Sequence, residues 1–297
     1  MPPFVVAIPA GPAPEEVERV ADLLASLRAH EPRASTVLLV DDAPAARRSW
    51  PQGVDVIANP RHGRGIGTLG GTCAATLAAL SWTHEHAPGA WCLRLDTDAL
   101  VIGPFAQAVE AALAPQVGVL GSCRRTCNGE PRDLGSWAPV VRRHARRLWL
   151  WRHPPRRWLP VQPAIGDVRR TVRAALARGY EPGEHCIAAA CAIGPALIAG
   201  LAAAGTLARP RRWLNTRFGD DAMLGVQARA MGLELRDLHA VFGLRHVGLP
   251  DTPQRLADRG FALIHSVRND PAHEESEVRA FFAARRGRAG AGAGSPS

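Results

Sequence analysis

The chain has 297 residues, 46% apolar and 21% charged, and a formal net charge of +9, which fits a folded body with a sizeable core and excludes a disordered or fibrous chain. All 36 basic residues are arginine, so the basicity is partly compositional, although it still favours an anionic partner. No apolar run approaches the ~20 residues of a spanning helix, and the start, MPPFVVAIPAGP, lacks the basic region of a signal peptide, so a cytoplasmic location is expected.

The first ~120 residues alternate between strand and helix patterns. FVVAIPA reads as a buried strand. PEEVERVADLLASLRAH places Val17, Val20, Leu23, Leu24 and Leu27 on one helical face, with acids in the first turn. TVLLVDD and VDVIAN read as strands, Thr72–Trp82 as a helix, WCLRLDTD as a strand, PFAQAVEAALA as a helix and VGVLGS as a strand. This alternation predicts an α/β fold with a mixed, mostly parallel sheet flanked by helices, and ligands beyond the carboxyl ends of the strands.

The middle, residues 123–185, is an arginine- and tryptophan-rich insertion that includes VVRRHARRLWLWRHPPRRWLP and a helix-like DVRRTVRAALARG. Residues 140–160 interleave aromatics with cations, a pattern that suits peripheral membrane contact or an anion-binding module. From residue 186 apolar strands and helices return in CIAAACAIG, PALIAGLAAAG, DDAMLGVQARAMG, ELRDL and FALIHSV. The expected organisation is one domain over 1–287 and a disordered tail over 288–297. Its nucleotide half spans 1–122 and its acceptor half 186–287. The six cysteines fall mostly in apolar runs and are expected to be small core residues; Cys123-x3-Cys127 and Cys186-x4-Cys191 lack tight zinc spacing.

Three acidic or imidazole features carry chemistry. In WCLRLDTD a buried strand runs into Asp96 and Asp98. Carboxylates at i and i+2 on an extended chain point the same way, and hard oxygens there suit Mn2+ or Mg2+ holding a diphosphate. In FGDDAMLG, Asp220 and Asp221 open a helix, where one of them can be a general base or both can serve the helix dipole. In FALIHSVRND, His265 follows a strand, where a neutral imidazole can complete a metal shell. Asn59–Gly71, NPRHGRGIGTLGG, has the glycine spacing of a dinucleotide loop. Four residues separate Pro60 from the first of those glycines, unlike a strand that feeds directly into a cofactor turn. The segment is therefore expected to be a flexible strap beside a diphosphate, with Gly65 and Gly67 allowing close backbone approach.

Taken in order, AIPA, VLLVDD, RLDTDALVIGPF, AAACAIGPALIAGL, GDDAMLG and IHSVRND resemble the GT-A fold of nucleotide-sugar-dependent glycosyltransferases over most of residues 4–270. Asp220-Asp221-x-x-x-Gly225 is similar to the acid-Asp pair of inverting members. The resemblance implies that Pro9, Asp41 and Asp42 lie near the nucleoside and that Arg61 and Arg64 reach the diphosphate. It also implies that Asp98 binds metal, that Asp96 serves metal or ribose, and that His265 is the third ligand, with His246 a rival. Asp221 would be the base and Asp220 would position the acceptor. The implied partners are a nucleotide-diphospho sugar, uridine-linked by expectation, and a glycan, lipid-linked or small-molecule hydroxyl, not nucleic acid. The family pair is usually Glu-Asp, and here it is Asp-Asp. A haloacid-dehalogenase-type phosphatase is the alternative enzyme, since it also uses D-x-D and a late Gly-Asp-Asp. Against it stand Leu100 in place of Thr or Val and the absence of lysine.

Overall fold

Strand β1 (Phe4–Ala10) is almost entirely buried because it feeds two cores at once. Val5 and Ala7 enter the core on one side of the sheet, and Phe4, Val6, Ile8 and Ala10 enter the other, as the two-residue period of a strand requires. The computed structural model describes residues 4–32, 36–43, 49–61, 67–145, 162–214, 216 and 218–292. In it β1 lies between β2 (Thr36–Asp41) and β4 (Trp91–Leu95), parallel to both, and β3 (Asp55–Ala58) runs parallel to β2. Beyond β4, β7 (Ala190–Ile193) is antiparallel to both β4 and β6 (Val117–Gly121), and β8 (Glu234–Asp237) is parallel to β6. The strand order is β3-β2-β1-β4-β7-β6-β8. The mixed, mainly parallel α/β sheet expected from the alternation is therefore present.

Helix α1 (Glu16–His30) buries Val20, Leu23, Leu24 and Leu27 against one face, where α3 (Ala106–Ala112) also packs. The opposite face is covered by α2 (Gly67–His86), α5 (Gln162–Ala177), α6 (Pro195–Ala203) and α7 (Asp220–Ala230). A three-stranded sheet beside this body joins β5 (Ala99–Val101), β9 (Phe242–Gly243) and β10 (Leu263–His265). Its register pairs His265 with Ala99, which carries a C-terminal histidine to the residue after Asp98. Helix α4 (Ala138–Ala145) packs on α5, and α8 (Pro253–Asp258) and α9 (Glu275–Gly292) lie near the small sheet. Among the described residues no helix is long and apolar enough to cross a membrane.

Three expectations need correction. The helix expected over Thr72–Trp82 spans Gly67–His86, so Gly67, Gly70 and Gly71 form its first turns and are not part of a strap. At Gly70 a Cβ would collide with the Leu214 carbonyl, so this glycine serves close packing of α2 on the turn at Pro210–Trp213. Cys123 and Cys186 are joined in a disulfide, whereas Cys73, Cys92, Cys127 and Cys191 are free and buried as expected. Proximity of residues 63 apart in sequence was not readable from spacing. Finally, α9 continues to Gly292, past the expected boundary at 287.

Candidate metal and transfer site

A cleft of about 580 Å³ opens at the carboxyl ends of β1, β2 and β4, lined by Pro9, Asp42, Arg61, Asp96, Asp98, Asp220, Asp221, His246 and His265 among others. One wall carries three converging ligand atoms. Asp96, Asp98 and His265 each offer one atom, all within 4.8 Å of one another. Nε2 of His265 lies 3.1 Å from Asp98 Oδ1 and 3.7 Å from Asp96 Oδ2. The other ring nitrogen, Nδ1, is 2.8 Å from the Arg245 carbonyl, which can only accept, so Nδ1 carries a proton. A neutral His265 therefore turns a lone pair toward two carboxylates, an arrangement that requires a cation at Nε2. Either a proton or a divalent ion with oxygen and imidazole preference fits.

The protonation balance shows the same demand. Burial lowers the affinity of His265 for a proton, but the hydrogen bond and charge of Asp98, with Asp96 behind, outweigh it and raise its pKa. Burial raises the pKa of Asp98, and the opposing hydrogen bond and charge of His265 with Arg268 bring it down to about 2. Directly after His265, Ser266 has a positive φ of 74°, a costly conformation for a residue with a Cβ. It turns the chain as Val267 N donates to the Asp98 carbonyl at 3.2 Å.

The second wall is the start of α7. Asp220 is buried, ion-paired to Arg94 Nε at 2.9 Å and hydrogen-bonded by the Thr76 hydroxyl at 2.9 Å. Asp221 is half-buried and held by one backbone donor, Ala222 N at 2.7 Å. Burial first, and then the charge of Asp220, push its pKa up to about 7. The two aspartates thus differ in role: Asp220 is locked, and Asp221 is able to exchange a proton near neutrality.

Several residues of the site escaped the sequence reading. Arg94, in the middle of β4, is 2% exposed and joins the walls, with Nη1 2.6 Å from Asp96 Oδ1 and Nε on Asp220. It also donates to the Ala188 carbonyl at 2.5 Å. An arginine inside an apolar strand is itself the missed signal, because a fully buried cation needs partners. Arg132 donates to the carbonyls of Ser122, Cys123 and His185 and approaches Nε2 of His185 at 2.9 Å. His185 is buried, donates Nδ1–H to Gly183, and is kept neutral, its pKa pushed down to about 4 by burial and by Arg132. Its Nε2 is 3.8 Å from Asp221.

The remaining expected residues are placed as follows. Arg61 grips Asp42 through Nε at 2.5 Å and through Nη2, and both line the cleft. Asp41 is outside the cleft lining; its carboxylate accepts from Ala43 N and the Trp50 indole. His246 lines the cleft but faces Arg132 Nη2 at 3.3 Å and not the Asp–His cluster. Arg64, Gly65 and most of the 140–160 segment lie outside the described residues.

No protein-family model matches the sequence, and no curated protein matches it. Solved structures similar to this chain do exist. The galactosyltransferase LgtC in complex with donor and acceptor sugar analogues is 12% identical over 96% of this chain and 95% of its own, at a TM-score of 0.47. Mouse xyloside xylosyltransferase 1 is 10% identical over 92% of this chain and 99% of its own, at 0.44. The mannosyltransferase PcManGT from Pyrobaculum calidifontis, in complex with GDP-Man and Mn2+, is 16% identical over 80% of this chain and 54% of its own, at 0.40. All three are glycosyltransferases by name.

Proposed function

We infer that the protein is a metal-dependent glycosyltransferase that moves a sugar from a nucleoside-diphosphate sugar, with a uridine donor expected, to a hydroxyl acceptor. The observation that carries this reading is one cleft with two distinct acidic walls. An Asp96–Asp98–His265 cation site faces a carboxylate poised near neutral pH, Asp221, and buried Arg94 spans the two walls. A Mn2+ or Mg2+ ion held by Asp96, Asp98 and His265 would offset the charge of a leaving diphosphate.

The chain's own groups supply the rest. Asp221 accepts the acceptor's hydroxyl proton while the new carbon–oxygen bond forms at the anomeric carbon. The bond from that carbon to the diphosphate oxygen breaks, and its electron pair leaves with the nucleoside diphosphate. Attack from the face opposite the leaving group inverts the centre. Asp220 is the poorer base because Arg94 and the Thr76 hydroxyl both hold its Oδ2; its role is to fix the start of α7. Arg61, turned into the cleft beside Asp42, is suited to phosphate oxygens. A phosphatase acting through Asp96 as nucleophile is disfavoured, since one oxygen of that carboxylate is engaged by Arg94 at 2.6 Å and the other faces His265 at 3.7 Å. Peripheral membrane contact through 140–160 belongs to the same reading, as does the division into a nucleotide half and an acceptor half. Liposome co-sedimentation, wild type against an Arg→Glu version of that segment, tests the membrane contact.

The site reading is tested by thermal shift with UDP, GDP, CDP and ADP, each with and without Mn2+. One diphosphate should raise the melting temperature only with Mn2+, and the effect should vanish in Asp98→Asn. Absence of any Mn2+-dependent shift with all four would remove the assignment.

A further inference from the structure

A second cavity of about 450 Å³ lies between α5, the segment after α6, and the C-terminal half of α7. It shares no lining residue with the transfer cleft. Arginines 170, 209 and 212 stand around it. Asp167 pairs with both Arg170 and Arg212, so one carboxylate serves two cations. The Arg209 guanidinium makes no ion pair or hydrogen bond with any described residue. Against this single acid the rim carries an excess of two positive charges.

The interior carries a second, independent mark. Gln227 is 3% exposed and lines the cavity, yet its amide makes no hydrogen bond to any described residue. Neither amide atom is sealed from solvent, so the group meets the water of the cavity, which a ligand oxygen can replace. The Thr206 hydroxyl, also in the lining, is likewise without a side-chain partner. The floor is apolar, formed by Val168, Ala174, Trp213 and Met231. Planar guanidinium forks, an amide donor and a hydroxyl match the oxygens of a phosphate. A chamber of this volume with an apolar floor is larger than inorganic phosphate needs, so the ligand carries an organic part.

We propose that this cavity is a binding site for an organic phosphate, separate from the transfer cleft. The phosphate sits among Arg209, Arg212, Thr206 and the Gln227 amide, and the organic portion rests on Trp213 and Met231. Two sources share this chemistry, a soluble phosphate monoester and the headgroup of an anionic lipid. The proposal does not rest on the glycosyl-transfer reading.

Isothermal titration of the full chain with phenyl phosphate, and co-sedimentation with phosphatidylcholine vesicles with and without phosphatidylglycerol, provide the test. Saturable phenyl phosphate binding, or phosphatidylglycerol-dependent vesicle binding that Arg209→Ala weakens, supports the site and separates the two sources. Arg209→Ala and Gln227→Glu should each weaken that binding about tenfold or more, as expected for losing a charge-assisted contact or adding a carboxylate. Arg255→Ala, an exposed arginine on α8 outside both cavities and outside the 140–160 segment, should leave it unchanged. The Mn2+-dependent nucleotide shift should persist in both cavity variants, which keeps this result distinct from the cleft. Arg209 is exposed, so its variant remains informative should Gln227→Glu fail to fold. No binding to either probe, undiminished binding in Arg209→Ala, or an equal loss in Arg255→Ala would overturn the proposal.

Discussion

Asp221→Asn separates the stability role of this carboxylate from its chemical role, and the two effects have opposite signs. Burial and the neighbouring Asp220 push the Asp221 pKa from 3.8 up to about 7. The native protein therefore keeps a proton there between about pH 4 and pH 7 that the unfolded chain has released. Stability falls with pH wherever the native state binds more protons, so the wild type loses stability as pH rises through this window and levels off above about 7. Each tenfold step of proton activity is worth about 1.4 kcal/mol, which makes the change from pH 5 to pH 7 on the order of 2 kcal/mol. Asparagine mimics the protonated form and can still accept from Ala222 N. Urea unfolding at pH 5 and pH 8 should show Asp221→Asn gaining on the wild type by that amount at the higher pH. Transfer should meanwhile fall by about a hundredfold or more, since general-base contributions are about 10²–10⁴. A variant that is less stable than wild type at pH 8, or that transfers normally, would refute the assignment.

Other outcomes follow from single contacts. His265→Ala and Asp98→Asn should each weaken Mn2+ binding about tenfold or more, read by titration calorimetry, as expected when a ligand is lost. Arg94→Met should destabilise the protein by about 3 to 5 kcal/mol, because Asp96 and Asp220 lose a buried counter-ion together; chemical denaturation measures it. The acid limb of kcat/KM should have an apparent pKa near 7, from Asp221, and should disappear from the residual activity of Asp221→Asn. Gly70→Ala should lower the melting temperature by several degrees, about 1 to 3 kcal/mol of overpacking against the Leu214 carbonyl.

The strands were legible because buried strands leave unbroken apolar runs, and the carboxylates of the candidate site stand where such a run stops or where a helix begins. Asp96 and Asp98 could be singled out at the end of WCLRL, and Asp221 at the opening of a helix. His265 could be singled out, but its approach to Asp98 depends on antiparallel pairing of β10 with β5, a long-range fact. The glycines of 65–71 carried a motif whose meaning depends on a partner far away: Leu214 decides why Gly70 is glycine. The same holds for Cys123 with Cys186. His185 and Arg132 could not be assigned because their chemistry comes from mutual contact, not local pattern. Arg94 could have been found, since a lone cation in WCLRLD has no solvent to face.

The most direct measurement is release of nucleoside diphosphate and formation of glycoside from a UDP-sugar, by mass spectrometry, with Mn2+ and a panel of hydroxyl acceptors. Product is expected with the wild type, lost on EDTA treatment and restored by Mn2+. It should be absent in Asp98→Asn, and the anomeric centre should be inverted by NMR. Full transfer in EDTA, or undiminished transfer by Asp98→Asn, would contradict the metal-dependent cleft on which the functional assignment stands.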